Sequence, residues 1–230
     1  MQFSGFQKLT LLDYPEKTAC TLFTAGCNFR CPFCHNAALV THIDNSNFFT
    51  EEYVLDYLKK RSGILDGVCI TGGEPLMHKD LPKFIKKVKN LGYLVKLDTN
   101  GSYPEKLQSL IDECLIDYVA MDIKNSQEKY LLTAECSKED LQNIEKSIEI
   151  LKGSKIDFEF RTTIVKEYHT IDDVKKIAEW IVGADKYFLQ NFIDSGDLIK
   201  NNLSAVNRET LDLMRSAARG MIPKVEIRGI

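Results

Sequence analysis

Six apolar runs rich in β-forming residues recur along the chain, and each is followed by a stretch with helical periodicity. The runs are TACTLFT (18–24), GVCIT (67–71), YLVKLDT (93–99), YVAMDI (118–123), IDFEFRTTIV (156–165) and KYFLQNF (186–192). The intervening segments carry helix start and stop signals. TEEYVLDYLKKRSG (50–63) opens on the cap Thr50, has acids in its first turn and bases in its last, and stops at Gly63. DLPKFIKKVKNLG (80–92) sets apolar residues at 81, 84, 85, 88 and 91, a one-faced spacing that leaves its lysines on the solvated side. SYPEKLQSLIDEC (102–114) follows, then SKEDLQNIEKSIEILKG (137–153), capped at Ser137 and stopped by Gly153. TIDDVKKIAEWIVG (170–183) has a capping-box-like pair in Thr170 and Asp173, with Trp180 on its apolar face beside Val174 and Ile177. NRETLDLMRSAARG (207–220) closes the series, and KVEIRG (224–229) leaves room for one more short strand.

Strands alternating with helices imply an α/β chain with a parallel sheet and outer helices. Six units fit a partial (β/α)6 TIM-like barrel better than a closed eight-fold one, which needs about 250 residues. No Pro/Gly/Ser-rich linker interrupts the 230 residues, so 1–230 reads as a single domain. A doubly wound sheet would carry a Gly-rich phosphate turn after its first strand. None stands there. Its place is taken by 25–49, the longest irregular stretch, and long irregular loops in compact domains are usually functional or disordered.

The formal charge of −3 argues against a nucleic-acid binder, which needs a strongly basic face. No apolar run reaches membrane-spanning length, and the N-terminus lacks a charged segment followed by an apolar core. A cytoplasmic, reducing setting is therefore expected, in which seven cysteines serve metal binding or packing rather than a disulfide framework.

Three of the seven, Cys27, Cys31 and Cys34, crowd the segment FTAGCNFRCPFCHN (23–36). Structural zinc wants four closed ligands, and the obvious fourth, His35, follows Cys34 so directly that shared coordination is awkward. A cubane iron–sulfur cluster takes one thiolate per iron, so three cysteines leave one iron open for chemistry. Iron–sulfur is the favoured reading; zinc and unligated thiols remain as alternatives. Cys20 and Cys69 lie within apolar strands and read as buried hydrophobes, and Cys114 and Cys136 have no thiol neighbour at ligand spacing. His42, His78 and His169 read as surface or turn residues.

Polar residues gather where the strands end. TGGEP (71–75) reads either as a plain turn or as a ligand site, in which Gly72 and Gly73 allow close approach to the backbone and Glu74 offers a carboxylate suited to an ammonium group. Asp98 ends the third run. Asp122 and Lys124 end the fourth, two apart and so on the same side of an extended chain. Arg161 inside FEFRTTIV needs a carboxylate partner, from a ligand or from a neighbouring strand. Gln190 and Asn191 end the sixth. In a parallel barrel these ends converge on one mouth, where barrel active sites lie.

The C-x3-C-x2-C spacing, with the aromatic Phe33 before its last cysteine, resembles the signature of radical S-adenosylmethionine (radical SAM) enzymes. GCNFRCPFCHN, TGGEP, DTNG and the Asp-x-Lys at 122–124 are most similar to the glycyl radical enzyme activating enzymes, in particular those of anaerobic ribonucleoside-triphosphate reductase. The chain departs from many of these activases in lacking a cysteine-rich ferredoxin-like insert, which favours the ribonucleotide reductase and pyruvate formate-lyase types. A histidine that some relatives carry at the end of the sixth strand is replaced by Gln190 and Asn191.

The resemblance implies a [4Fe–4S] cluster on Cys27, Cys31 and Cys34. It implies that the open iron chelates S-adenosylmethionine (SAM), and that one electron from a flavodoxin or ferredoxin leads to a 5′-deoxyadenosyl radical that takes hydrogen from a glycine of the partner. Gly72, Gly73 and Glu74 would grip the methionyl part, with Phe33, His35, Arg161 and Gln190 also around the cofactor. Asp98 and Asp122, near Ala120, would hold a monovalent cation, and Lys124 would meet the ligand or the partner's glycine loop. A small-molecule radical SAM enzyme, such as a 7-carboxy-7-deazaguanine synthase, is the rival reading; a non-catalytic iron–sulfur or zinc protein is the more distant one.

Overall fold

The computed structural model describes residues 1–43 and 48–229, so part of the cysteine-bearing stretch, residues 44–47, lies outside the described residues. The strands are β1 (Gln2–Phe3), β2 (Gly5–Thr10), β3 (Ala19–Thr24), β4 (Phe49–Thr50), β5 (Gly67–Gly72), β6 (Leu94–Thr99), β7 (Tyr118–Asp122), β8 (Asp157–Ile164), β9 (Lys186–Asn191) and β10 (Lys224–Arg228). The helices are α1 (Ala37–Thr41), α2 (Glu51–Lys60), α3 (Leu81–Asn90), α4 (Pro104–Asp112), α5 (Gln127–Ala134), α6 (Lys138–Gly153), α7 (Ile171–Trp180) and α8 (Arg208–Ala218).

All six apolar runs are strands of one eight-stranded sheet in the order β2-β3-β5-β6-β7-β8-β9-β10, and KVEIRG supplies its last strand. Every pairing from β3 to β10 is parallel; β2 joins β3 antiparallel at the edge. The strand β2, the short helix α1 and the helix α5 add to what the sequence pattern shows. GFQKLT has no apolar alternation because it is a half-exposed edge strand, and α5 lacks a side-chain cap.

The caps read from the sequence are present. Thr50 accepts from the Tyr53 amide at 3.2 Å, and both Ser137–Asp140 and Thr170–Asp173 form reciprocal boxes. The glycine stops differ: α2 ends at Lys60, ahead of Gly63, and α6 runs through Gly153 to the cap Ser154.

Each parallel strand lies beside its predecessor. With right-handed crossovers, such an order puts every helix on the same face of the sheet. That outer face is apolar: Leu22, Ile70, Leu97, Val119 and Leu189 are fully buried, with Phe84, Leu107, Ile148 and Ile177 of the helices in the same core. Period-two alternation turns the intervening residues inward. The inner face carries Cys69, Lys96, Asp98, Tyr118, Asp122, Glu159 and Arg161.

Toward β9 and β10 the inner face is filled. Glu159 receives two hydrogen bonds from Arg228, at 2.6 and 2.9 Å, and one from the Tyr118 hydroxyl at 2.8 Å. The Arg228 guanidinium also lies 3.3 Å from the Phe188 ring centroid. Tyr14, Ala19 and Tyr118 form a small apolar cluster of their own.

Cys20 and Cys69 are buried as expected, Cys114 is exposed and Cys136 half-buried. Trp180 is half-buried, edge-on to Tyr130 with centroids 5.9 Å apart. His42 is exposed, and half-buried His78 makes a 2.9 Å hydrogen bond to the Ala25 carbonyl. His169 is not at the surface: it is 3% exposed, takes a hydrogen bond from the Val165 amide at 3.1 Å and bonds the Lys124 carbonyl at 2.8 Å, holding the loop after β8 over the end of β7. Among the described residues no helix is long and apolar enough to cross a membrane.

Candidate active site

The C-terminal ends of β5 to β9 surround a cavity of about 230 Å³. Cys27, Cys31 and Cys34 line one side, with Phe33, His35 and Asn36 of the same loop; Gly72, Gly73, Asp98, Asp122, Lys124, Arg161 and Gln190 line the rest. Of the sequence-derived candidates, Glu74 and Asn191 do not line it. Asn191 donates instead to the Val206 carbonyl at 3.2 Å.

The cysteine loop is fastened at several points. The Gly26 amide donates to Leu39 at 2.8 Å, Arg30 to the Ala134 carbonyl at 3.2 Å, and the Lys200 amide to Pro32 at 2.9 Å. Phe33 is buried between Tyr168 and His169, its ring centroid 5.9 and 6.2 Å from theirs, so it anchors the loop as well as lining the cavity. His35 stacks on Phe192 at 5.8 Å, and burial holds its pKa below the usual imidazole value.

Burial pushes the Cys27 thiol up to about 11 and the Cys31 thiol to about 12, and raises that of Cys34. Thiols in such surroundings ionise when a metal takes the proton's place. Among the described residues, no three of His, Cys, Asp or Glu gather closely enough to hold one metal ion. The three thiols border a shared volume instead. A tetrahedral zinc needs its donors around a point, whereas a polynuclear cluster takes one thiolate on each of several irons. The donor set therefore fits a cluster.

Gly72 and Gly73 are glycines for a reason other than ligand access. A Cβ on Gly72 would lie 2.4 Å from the Thr24 backbone, and one on Gly73 only 1.8 Å from the Gly26 carbonyl oxygen. Gly72 also has φ +118°. The turn is stitched to the cysteine loop by Gly73 N to Thr24 O at 2.9 Å, Glu74 N to Gly26 O at 2.8 Å, and Asn36 Nδ2 to Gly72 O at 3.1 Å. Glu74 is fully buried, and its carboxylate accepts from the Leu76 amide (3.0 Å), the Thr99 hydroxyl (2.9 Å) and the Asn100 amide (2.7 Å). Expected to grip an ammonium, it instead ties the end of β5 to the end of β6. Burial lifts its pKa to about 7 against the pull of those donors.

The floor of the cavity is a ladder of alternating charge. Lys96 donates to Asp98. Arg161 spans Asp98 at 3.2 Å and Asp122 at 2.9 Å, and Lys124 meets the other oxygen of Asp122 at 3.1 Å. Burial alone would raise the carboxyl pKa values, but Arg161 with the two lysines overrides it, lowering Asp98 and taking Asp122 to about 2. At Asp98 and Asp122, where the resemblance implies a monovalent cation, Arg161 bonds both carboxylates. Arg161, for which ligand and strand partners stood open, takes both aspartates, because the register sets Asp122 directly opposite it.

Asn100 escaped the sequence reading. Its side-chain Nδ2 lies 3.7 Å from the Cys27 sulfur and 3.0 Å from the Asn28 side-chain oxygen, and Asn28 Nδ2 continues to Ser102 and Asp140 at 2.9 and 3.2 Å. Its position two residues after Asp98, in DTNG, was the available signal.

The sequence profile of the Radical SAM superfamily matches residues 21–181. A candidate glycyl-radical enzyme activating enzyme of Methanocaldococcus jannaschii is 34% identical over 236 residues, spanning 99% of this chain and 95% of its own. A GTP 3′,8-cyclase of Helicobacter pylori is 29% identical over 165 residues, 68% of this chain and 49% of its own. Among solved structures, Streptococcus suis SuiB bound to S-adenosylmethionine superposes with TM-score 0.71 at 13% identity, covering 90% of this chain and 48% of that one. The anSMEcpe structure with bound AdoMet gives 0.66 at 16%, covering 89% and 62%. Likeness at this identity speaks to the fold alone, and that fold is the partial barrel with a parallel sheet and outer helices.

Proposed function

We propose, for a chain that belongs to the radical SAM superfamily, the activity of a glycyl-radical enzyme activating enzyme. Members of the superfamily use a [4Fe–4S] cluster and SAM. The observation that carries the reading is the meeting, in one cavity, of three buried or half-buried thiols and the cations Arg161 and Lys124. In this reading Cys27, Cys31 and Cys34 hold the cluster, and the backbone of Gly72 and Gly73 with Gln190 cradles the methionyl and sugar parts. Arg161 and Lys124 orient the ligand carboxylate. Bound there, cluster and SAM supply one-electron cleavage of the sulfonium carbon–sulfur bond. The chain's own task is to orient the ligand and exclude water; Phe33 and His35, packed on Tyr168 and Phe192, wall the cavity on the loop side.

The hydrogen donor is a backbone glycine of a partner enzyme. Similarity to the candidate activating enzyme of Methanocaldococcus jannaschii over 99% of the chain supports this. So does the sheet itself: among the described residues β2 and β10 are its two edges and are not paired with each other, which leaves a lateral gap for a polypeptide loop. The finer reading is a single radical SAM domain over 1–230, working in the cytoplasm on anaerobic ribonucleoside-triphosphate reductase, or on a pyruvate formate-lyase type partner, and reduced by flavodoxin or ferredoxin. Anaerobic reconstitution followed by dithionite and SAM should yield four irons per chain, methionine and 5′-deoxyadenosine. Adding the reductase should produce a glycine doublet in the electron paramagnetic resonance spectrum. SAM cleavage with no doublet on either partner would favour the small-molecule reading, and bound zinc with no cleavage would defeat both.

A further inference from the structure

One cation of the ladder has no task in that reading. Lys96 is 1% exposed and does not line the cavity. Its recorded polar partners are the Asp98 carboxylate and, at 3.8 Å, the Cys69 sulfur. A buried ammonium is tolerated only when paired, yet Asp98 already has a partner in Arg161. Without Lys96 the ladder Asp98–Arg161–Asp122–Lys124 would hold two cations and two carboxylates and be neutral. With Lys96 there are three cations against two carboxylates, a net charge of +1.

Among the described residues no further carboxylate is ion-paired to Lys96, Arg161 or Lys124. Glu159, the next acid below on the inner face, is matched by Arg228. Glu74 does not line the cavity and accepts from three neutral donors. The ion-paired ladder therefore has one cation more than it has carboxylates, and the extra one, Lys96, lies outside the cavity. The two members of the ladder that can deliver the surplus to a ligand are Arg161 and Lys124, which line the cavity.

We propose that Lys96 is a positioning residue: by holding Asp98 from below, it frees Arg161 and Lys124 to bind the carboxylate of the ligand. The proposal rests on the reading that SAM occupies this cavity. Its signature is selective. Loss of Lys96 weakens ligands that carry the carboxylate and leaves those without it nearly unchanged.

The test is equilibrium binding of SAM and of its decarboxylated analogue, S-adenosyl-3-methylthiopropylamine, to the anaerobically reconstituted protein. Wild type should prefer SAM. In Lys96→Met the affinity for SAM should fall by about tenfold or more, the scale of a hydrogen bond to a charged group, with the analogue little affected. Lys96→Gln, which keeps a donor toward Asp98 but no charge, carries the same expectation if the methionine variant does not fold. The double variant Lys96→Met/Asp98→Asn returns the ladder to a net +1 and should recover most of the preference. Equal weakening of both ligands, or unchanged preference in the single variants, overturns the role of Lys96. Wild type that binds neither ligand overturns the reading of the cavity itself.

Discussion

The inner face of the sheet carries two clusters of ion pairs, and they are built to opposite ends. On the β8–β10 side, one carboxylate meets one guanidinium: Glu159 is 1% exposed on its side chain, bonded twice by Arg228 and again by Tyr118, with Phe188 under the guanidinium. Charge and hydrogen bonds are balanced there. On the β6–β8 side, three cations share two carboxylates and two of those cations face a cavity. A balanced pair needs nothing more and serves as a plug. An unbalanced ladder retains a demand for negative charge, and that demand makes a floor into a binding surface.

The contrast breaks most completely at the loop above the ladder. Cys31→Ala should abolish both the iron–sulfur absorbance and SAM cleavage, whereas exposed Cys114→Ala should leave both, as measured by iron content and 5′-deoxyadenosine yield. At the plug, Arg228→Met strands a buried carboxylate and should cost about 3 kcal/mol in urea unfolding while SAM affinity in the folded fraction stays near wild type. A Glu159→Gln/Arg228→Met pair should regain much of that stability. If instead the plug variants lose SAM selectivity, the two clusters are coupled and the comparison fails.

A smaller effect separates the clusters by pH. The folded pKa of Asp122 is depressed to about 2, so its ion pairs contribute stability that is present above the ordinary aspartate value and is lost as pH falls toward 2. Asp122→Asn should therefore flatten the acid limb of a stability profile between about pH 4 and 2. A profile unchanged by the substitution would mean that Arg161 and Lys124 do not hold that carboxylate. The smallest change is expected from Asn100→Leu, which removes an amide from the Cys27 sulfur. Its mark is a modest shift of the cluster's midpoint potential without loss of iron.

The strands were legible because parallel strands buried on an apolar face read as short β-rich runs, and the helices because their caps are carried by single residues such as Thr50, Ser137 and Thr170. The edge strand β2 was not, since half its residues face water and no apolar alternation marks it. At the site, the residue types at the strand ends could be read, but their partners could not. Whether Arg161 meets a ligand or a neighbour depends on register, which sets Asp122 opposite it. The direction of Glu74 depends on a turn whose Gly72 adopts a positive φ. Lys96 was hidden because an inward lysine inside an apolar run looks like a solvent-facing one until the inner face is known to be closed.

Gly73 and Gly26 touch so closely that not even a methyl group fits between them. The loop that carries the thiols and the tip of β5 are thus a single mechanical piece. If the proposed reading holds, a loop that moves to admit iron disturbs the β5 tip as well, and metal loading and the shaping of the nucleotide cradle become one event instead of two.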